Sequence, residues 1–210
     1  MYTLYYMPGA CSMAVHVVLN ELGQDVKLEN VSVPAGQSRS LEFLKINPRG
    51  SVPVLIDNGE VLREGGAILP YLLDKHSSPL LPKSGKERVN ALEWLMFANA
   101  TLHPAYARVF FILKNITDPT AKDQACKAAI DEINKLWAEI NGQLAKTAYV
   151  AGDQCTVADV LISVMANWGN TFPYLITLGS NTKRMLQEVT SWPSYQQALQ
   201  LEQVVYQAAG

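Results

Sequence analysis

Apolar and polar positions change their spacing along this 210-residue chain. The first part alternates short pieces. Residues 1–6 read as a strand, and Pro8-Gly9 breaks it. Val15, Val18, Leu19 and Leu22 then recur at the i, i+3, i+4, i+7 steps of an amphipathic helix over 12–23. Gly23 stands where a helix C-cap belongs. A second strand is predicted at 26–33, a short helix at 38–46 and a third strand at 53–57. Asn58-Gly59 predicts a hairpin turn into a strand at 60–62, and 64–76 reads as a helix. Residues 77–85 hold Ser, Pro and Gly and interrupt the pattern. Beyond them almost everything steps as helix. Ile130, Ile133, Trp137, Ile140 and Leu144 form one apolar stripe, and Val157, Val160, Leu161, Val164 and Trp168 another. Thr156 with Asp159 reads as a capping box, the hydroxyl meeting a backbone N–H and the carboxylate reaching back. The chain therefore divides into an α/β domain at 1–77, a linker at 78–85 and an all-helical domain at 86–210. It carries no internal repeat.

The order βαβαββα is similar to that of the thioredoxin-like fold. Composition narrows the function classes. Hydrophobic residues make up 49%, enough for a real core. The net charge of −2 comes without a basic block, so neither nucleic acid nor an anionic membrane is an expected partner. No run approaches the ~18 apolar residues of a membrane span. The start lacks a basic segment followed by a long apolar run, so no signal peptide is expected. Three cysteines, Cys11, Cys126 and Cys155, do not make a disulfide framework, and a reducing cytoplasm is the simplest compartment. His16, His76 and His103 are scattered, and no metal site is expected.

Three segments carry chemistry. Cys11 follows the Pro8-Gly9 turn at the start of a helix, beside unpaired N–H groups at the positive end of the dipole. That placement stabilises a thiolate, its own or a ligand's. In residues 47–55, Asn-Pro-Arg-Gly-Ser-Val-Pro-Val-Leu, Pro53 opens a strand without an N–H to give. Either it marks a surface strand start, or a cis Val52–Pro53 bond turns the backbone of Val52 outward to pair with an extended peptide. After a cysteine-led βαβ unit the cis form is the favoured reading. In Arg63-Glu64-Gly65-Gly66, the Gly65 N–H can receive a ligand carboxylate and Glu64 a ligand ammonium. A helix-start glutamate with no ligand is the plainer alternative.

Together these pieces, with Tyr-Tyr-Met-Pro-Gly-Ala-Cys-Ser at 5–12 and Gly-Asp-Gln-Cys-Thr-Val-Ala-Asp at 152–159, resemble a cytosolic glutathione transferase of the bacterial beta class. The resemblance runs through nearly the whole chain. It implies a detoxifying enzyme that conjugates glutathione, as co-substrate, to hydrophobic electrophiles, and a cytoplasmic homodimer. Disulfide exchange or peroxide reduction are implied further activities. It places Cys11 beside the glutathione sulfur, Tyr6 nearby, and His103 at the site's edge. Val52 pairs with the cysteinyl backbone, Pro53 is the cis-proline, and Glu64 and Gly65 hold the γ-glutamyl end. Ser12 joins Cys11 and His103 as a candidate donor to the thiolate. The electrophile is expected near His103 and Trp168.

The sequence departs from the pattern at three places. His103 is followed by Pro104 where the best-known members have lysine. The loop at 33–39 is one residue short and lacks a glycine-binding lysine, leaving Gln37 as a stand-in. Gly65 stands where many members carry serine or aspartate. These departures keep open a non-catalytic, glutathione-binding or regulatory protein on the same fold. Elsewhere the expectations are structural. Cys155 packs beside the helix cap, Cys126 fills a helical core, and His16 is a solvated helix residue. Trp94, Trp137 and Trp168 lie on apolar faces, and Asp159 is a cap.

Overall fold

The computed structural model describes residues 1–32 and 35–210. They form two compact units: Met1–Lys83 with Thr190–Val205, and Ser84–Val189 with Tyr206–Gly210.

The first unit is built on a four-stranded sheet of order β2-β1-β3-β4. Its strands are β1 (Tyr2–Tyr6), β2 (Val26–Asn30), β3 (Val54–Asp57) and β4 (Glu60–Arg63). β1 runs parallel to β2 and antiparallel to β3, and β3 pairs antiparallel with β4. The parallel pair needs a crossover, which α1 (Ser12–Glu21) supplies. The third strand begins one residue later than predicted because Pro53 cannot donate to a ladder. Asn58 and Gly59 both hold positive φ, 49° and 88°, as the tight hairpin turn requires. The end of the predicted second strand, at Val33, lies outside the described residues. The predicted helix at 38–46 is two pieces: a 3₁₀ turn, Gln37–Arg39, then α2 (Leu41–Ile46). Ser40 separates them and accepts the Phe43 N–H at 3.2 Å, restarting the helix. α3 (Gly65–Lys75) closes the predicted βαβαββα order.

α1 is apolar around its girth, and every residue from Ser12 through Leu19 is buried. Its covering includes α3 and a helix from far along the chain, Pro193–Glu202, numbered α9 below. The sequence division at residue 85 left that helix in the second domain; packing places it in the first unit.

The second unit is helical. It comprises α4 (Gly85–Phe97), a π-helical stretch at Ala98–Leu102, α5 (His103–Asn115), α6 (Pro119–Leu144), α7 (Val157–Ala166) and α8 (Ser180–Thr190). α7 is buried over its entire length. Its start is locked by Asp159, whose carboxylate accepts the N–H groups of Thr156 at 2.8 Å and Val150 at 2.9 Å. The Thr156 hydroxyl also points to that carboxylate, at 3.0 Å. Trp137 is fully buried and donates its indole N–H to the Tyr106 hydroxyl at 2.9 Å. Among the described residues no helix is long and apolar enough to cross a membrane.

Candidate functional site

Cys11 is the N-cap of α1. The turn before it is held by the Ala10 N–H to Met7 carbonyl bond at 3.0 Å. Ser12 is fully buried; its hydroxyl donates to the Met7 carbonyl at 3.3 Å and accepts the Met7 N–H at 3.2 Å. Ser12 thus ties the turn together through both bonds to Met7. Cys11 as a residue is partly exposed, and its thiol donates to the Val52 carbonyl at 3.7 Å.

The helix-start setting predicts a depressed thiol pKa, and the structure gives the opposite. Burial pushes the Cys11 thiol up to about 11, with Glu64's charge adding to the rise. Hydrogen bonds from the backbone of Cys11 and Ser12 oppose the rise and lose to desolvation. Tyr6 is 8% exposed, and its phenol is likewise raised, by burial first and by Glu202's charge second. Neither group ionises readily.

The Val52–Pro53 bond is cis, as favoured from the sequence. Val52 packs on a small core cluster of Val31, Phe43 and Val54. The chain reaches it through a turn organised by the buried Asn47. Its side-chain N–H donates to the Ser51 carbonyl at 2.7 Å, and its carbonyl accepts the Gly50 N–H at 2.9 Å. Gly50 sits at φ +65°, and a Cβ there would lie 2.6 Å from the Ser38 carbonyl oxygen, so the turn admits only glycine.

Glu64 is the N-cap of α3 at φ 70°, a conformation uncommon for a residue with a side chain. It makes no side-chain cap; its exposed carboxylate pairs with the Arg49 guanidinium. α3 therefore begins with no side-chain cap and no acidic residue in its first turn. Gly65 faces the Pro53 ring, with 3.5 Å of room for a Cβ. Cys11, Val52, Pro53 and Gly65 are thus linked by direct neighbours, with Glu64 beside them. Gln37 is engaged elsewhere. Its side-chain oxygen accepts the Ser32 N–H at 2.8 Å and closes its own loop.

In the helical unit, His103 and Trp168 meet edge to face, 5.3 Å between ring centroids. Tyr106 and Phe110 join Trp168 at 5.6 and 6.3 Å, and Phe172 packs on Phe110 at 4.9 Å. Trp137 is core, while Trp94 and Trp168 stay partly exposed.

Sequence reasoning missed three residues. His16 is fully buried rather than solvated, because α9 covers its face of α1. Its Nδ1 meets the Glu202 carboxylate at 2.9 Å, and the other oxygen of Glu202 accepts the Gly9 N–H at 2.9 Å. Glu202 lies 186 positions from His16, and no local signal announces it. Arg49 was visible inside its motif; only its pairing with Glu64 was not.

The chain matches the family profile "Glutathione S-transferase, N-terminal domain" over residues 1–74 and "Glutathione S-transferase, C-terminal domain" over 74–185. It is 31% identical over 204 residues to glutathione S-transferase D7 of Drosophila melanogaster, covering 94% of this chain and 88% of that one. Its fold is similar to the solved glutathione S-transferase from Xylella fastidiosa, with TM-score 0.88 and 27% identity over 98% of this chain and 100% of the other. A sphingomonad glutathione S-transferase solved with glutathione is similar at TM-score 0.82 and 29% identity, covering 97% and 100%.

Proposed function

The chain belongs to the glutathione S-transferase family, and on that premise we propose that Cys11 serves it as a protonated hydrogen-bond donor. In this reading the enzyme joins the glutathione thiolate to hydrophobic electrophiles, with Cys11 steadying the sulfur. The observation that carries the reading is the Cys11 thiol donating to the Val52 carbonyl, with burial raising its pKa to about 11. At pH 7 such a thiol is ionised to on the order of one part in ten thousand. It is a poor nucleophile and a ready donor. A glutathione sulfur arriving beside it would receive that S–H, together with the N–H groups at the start of α1. Donors aimed at a charged sulfur favour thiolate over thiol, which is the chemistry conjugation requires.

The other roles follow the same logic. Val52 offers its backbone to the cysteinyl unit of glutathione, beside the cis-proline Pro53. Glu64 exchanges Arg49 for the γ-glutamyl ammonium, and the Gly65 N–H takes its carboxylate. Gln37 keeps its amide N–H₂ for the glycyl carboxylate. Tyr6 is a wall of the site. The helical unit supplies the electrophile's surface, with His103 and Trp168 in it. A beta-class, cytoplasmic homodimer completes the reading. Disulfide exchange through Cys11 is slow at neutral pH, because the attacking thiolate is scarce.

The test is the ultraviolet thiolate absorbance of bound glutathione across pH, in the wild type and Cys11→Ala, with turnover of a chromogenic electrophile alongside. The expected result is a bound-glutathione pKa below the ~8.5 of a free thiol, moving upward in the variant, with turnover falling at neutral pH. Binding without thiolate formation or turnover would replace this reading with a non-catalytic glutathione-binding protein.

A further inference from the structure

Ala98–Leu102 is π-helical between two α-helical stretches. Phe97, Ala98, Leu102 and His103 all hold right-handed helical angles, so one helix runs from Gly85 to Asn115 and its register slips once. The slip is seen in the His103 N–H, which bonds the Ala98 carbonyl five residues back instead of four. The next residue is Pro104. In an unbroken α register Pro104 would face the Ala100 carbonyl with no N–H to give, and its ring would crowd that oxygen. A wide turn just ahead of the proline relieves both problems.

The helix is anchored on both sides of the slip. Ala91 and Leu95 are buried before it; Ala105, Tyr106, Val109 and Ile112 are buried after it. Fixed anchors require the extra residue somewhere between them. Packing alone does not say where. We propose that Pro104 is a positioning residue that pins the wide turn immediately before His103 and so directs the imidazole at Trp168. With the turn there, His103, Tyr106 and Phe110 fall at i, i+3 and i+7 on one stripe and meet Trp168 together. A wide turn displaced past His103 would swing that residue by one helical step, about 100°. Tyr106 and Phe110, beyond the turn, would stay. His103 is thus the ring whose direction depends on where the slip falls. This inference rests on the reading that His103 belongs to the electrophile's site.

The test is Pro104→Ala, with His103→Asn in parallel. Pro104 is exposed and alanine is the best helix former, so the variant folds, as a melting curve will verify. Three readouts follow: the ring-current shift that Trp168 imposes on the His103 imidazole protons, exchange protection of the amide that the substitution introduces at position 104, and steady-state kinetics. The expected result is a collapsed ring-current shift, a protected amide at that position and kcat/KM for the electrophile lower by on the order of tenfold. KM for glutathione should not change. A wild-type ring-current shift in Pro104→Ala overturns the proposal, because packing of the flanks would then hold the turn. A lost shift with unchanged turnover also overturns it when His103→Asn does lower turnover. If His103→Asn leaves turnover unchanged, the site assignment of His103 fails instead, and the ring-current result alone decides the role of Pro104.

Discussion

The Glu202 carboxylate lies 2.9 Å from His16 Nδ1, and both side chains are wholly buried. Its second oxygen holds the Gly9 N–H in the turn that leads into Cys11. A residue far along the chain therefore braces the loop that leads into Cys11. Removing one partner strands buried polar groups. Glu202→Ala should lower stability by about 1–3 kcal/mol for each group it leaves without a partner, and Glu202→Gln by less, since it keeps one acceptor. Urea denaturation measures both. A change in the alanine variant within about 0.5 kcal/mol, the range of a plain surface substitution, would show that the brace is idle.

The Cys11 thiol, with its pKa raised by burial to about 11, should react slowly with iodoacetamide at neutral pH. The rate should climb with pH until about 11, where a free thiol would level off near 8.5. Peptide mass spectrometry of timed samples follows Cys11 separately from Cys126 and Cys155. A plateau below pH 8 would mean that the helix-start N–H groups outweigh desolvation.

Glu64→Gln keeps the size of the side chain and removes its charge. Loss of a charge-assisted contact should weaken glutathione binding by roughly 1.5–3 kcal/mol, one to two decades in affinity. A glutathione analogue without the ammonium should lose much less. Calorimetric titration of both ligands decides the matter, and equal losses would return Glu64 to the role of partner for Arg49.

Asp159 has its pKa raised to about 6, burial outweighing the backbone N–H groups of Val150 and Thr156 that it accepts. A carboxyl raised in the folded state favours folding most when it is protonated. Its contribution is complete below the unfolded value, near 3.9, and is lost as pH rises through about 6. Asp159→Asn cannot ionise. The wild type should therefore lose roughly 3 kcal/mol relative to that variant over the whole titration, about 2 kcal/mol of it between pH 4 and 6. Parallel denaturation series at several pH values give the difference directly, and a flat difference contradicts the assignment.

On α4, Val89 and Met96 are seven residues apart and 53% and 40% exposed. They suit an interface between two copies. Light scattering at micromolar concentration should give twice the 23.1 kDa chain mass. A single-chain mass rejects the homodimer.

Much of the candidate site is built from local structure, and for that reason its turns and helix ends could be read from sequence. The turn into Cys11, the Asn47-to-Pro53 run and the start of α3 depend on turn residues and helix ends, which short-range geometry dictates. Strand and helix order followed from periodicity alone, and Asp159 from the spacing of a capping box. Tertiary structure decided the rest, because it depends on what covers each residue. Cys11 at a helix start reads as a thiolate until desolvation is counted, and desolvation is a property of the packed fold. His16 reads as a solvated position until α9 returns from the far end of the chain to cover it and bring Glu202. Gln37 reads as a side-chain amide with both ends open until its loop closes on Ser32 and takes the oxygen. Pro104 is plain in the sequence, but the register slip before it needs the buried anchors on both sides. Local rules act over a few residues, whereas burial and charge are set by neighbours that only the folded chain brings together.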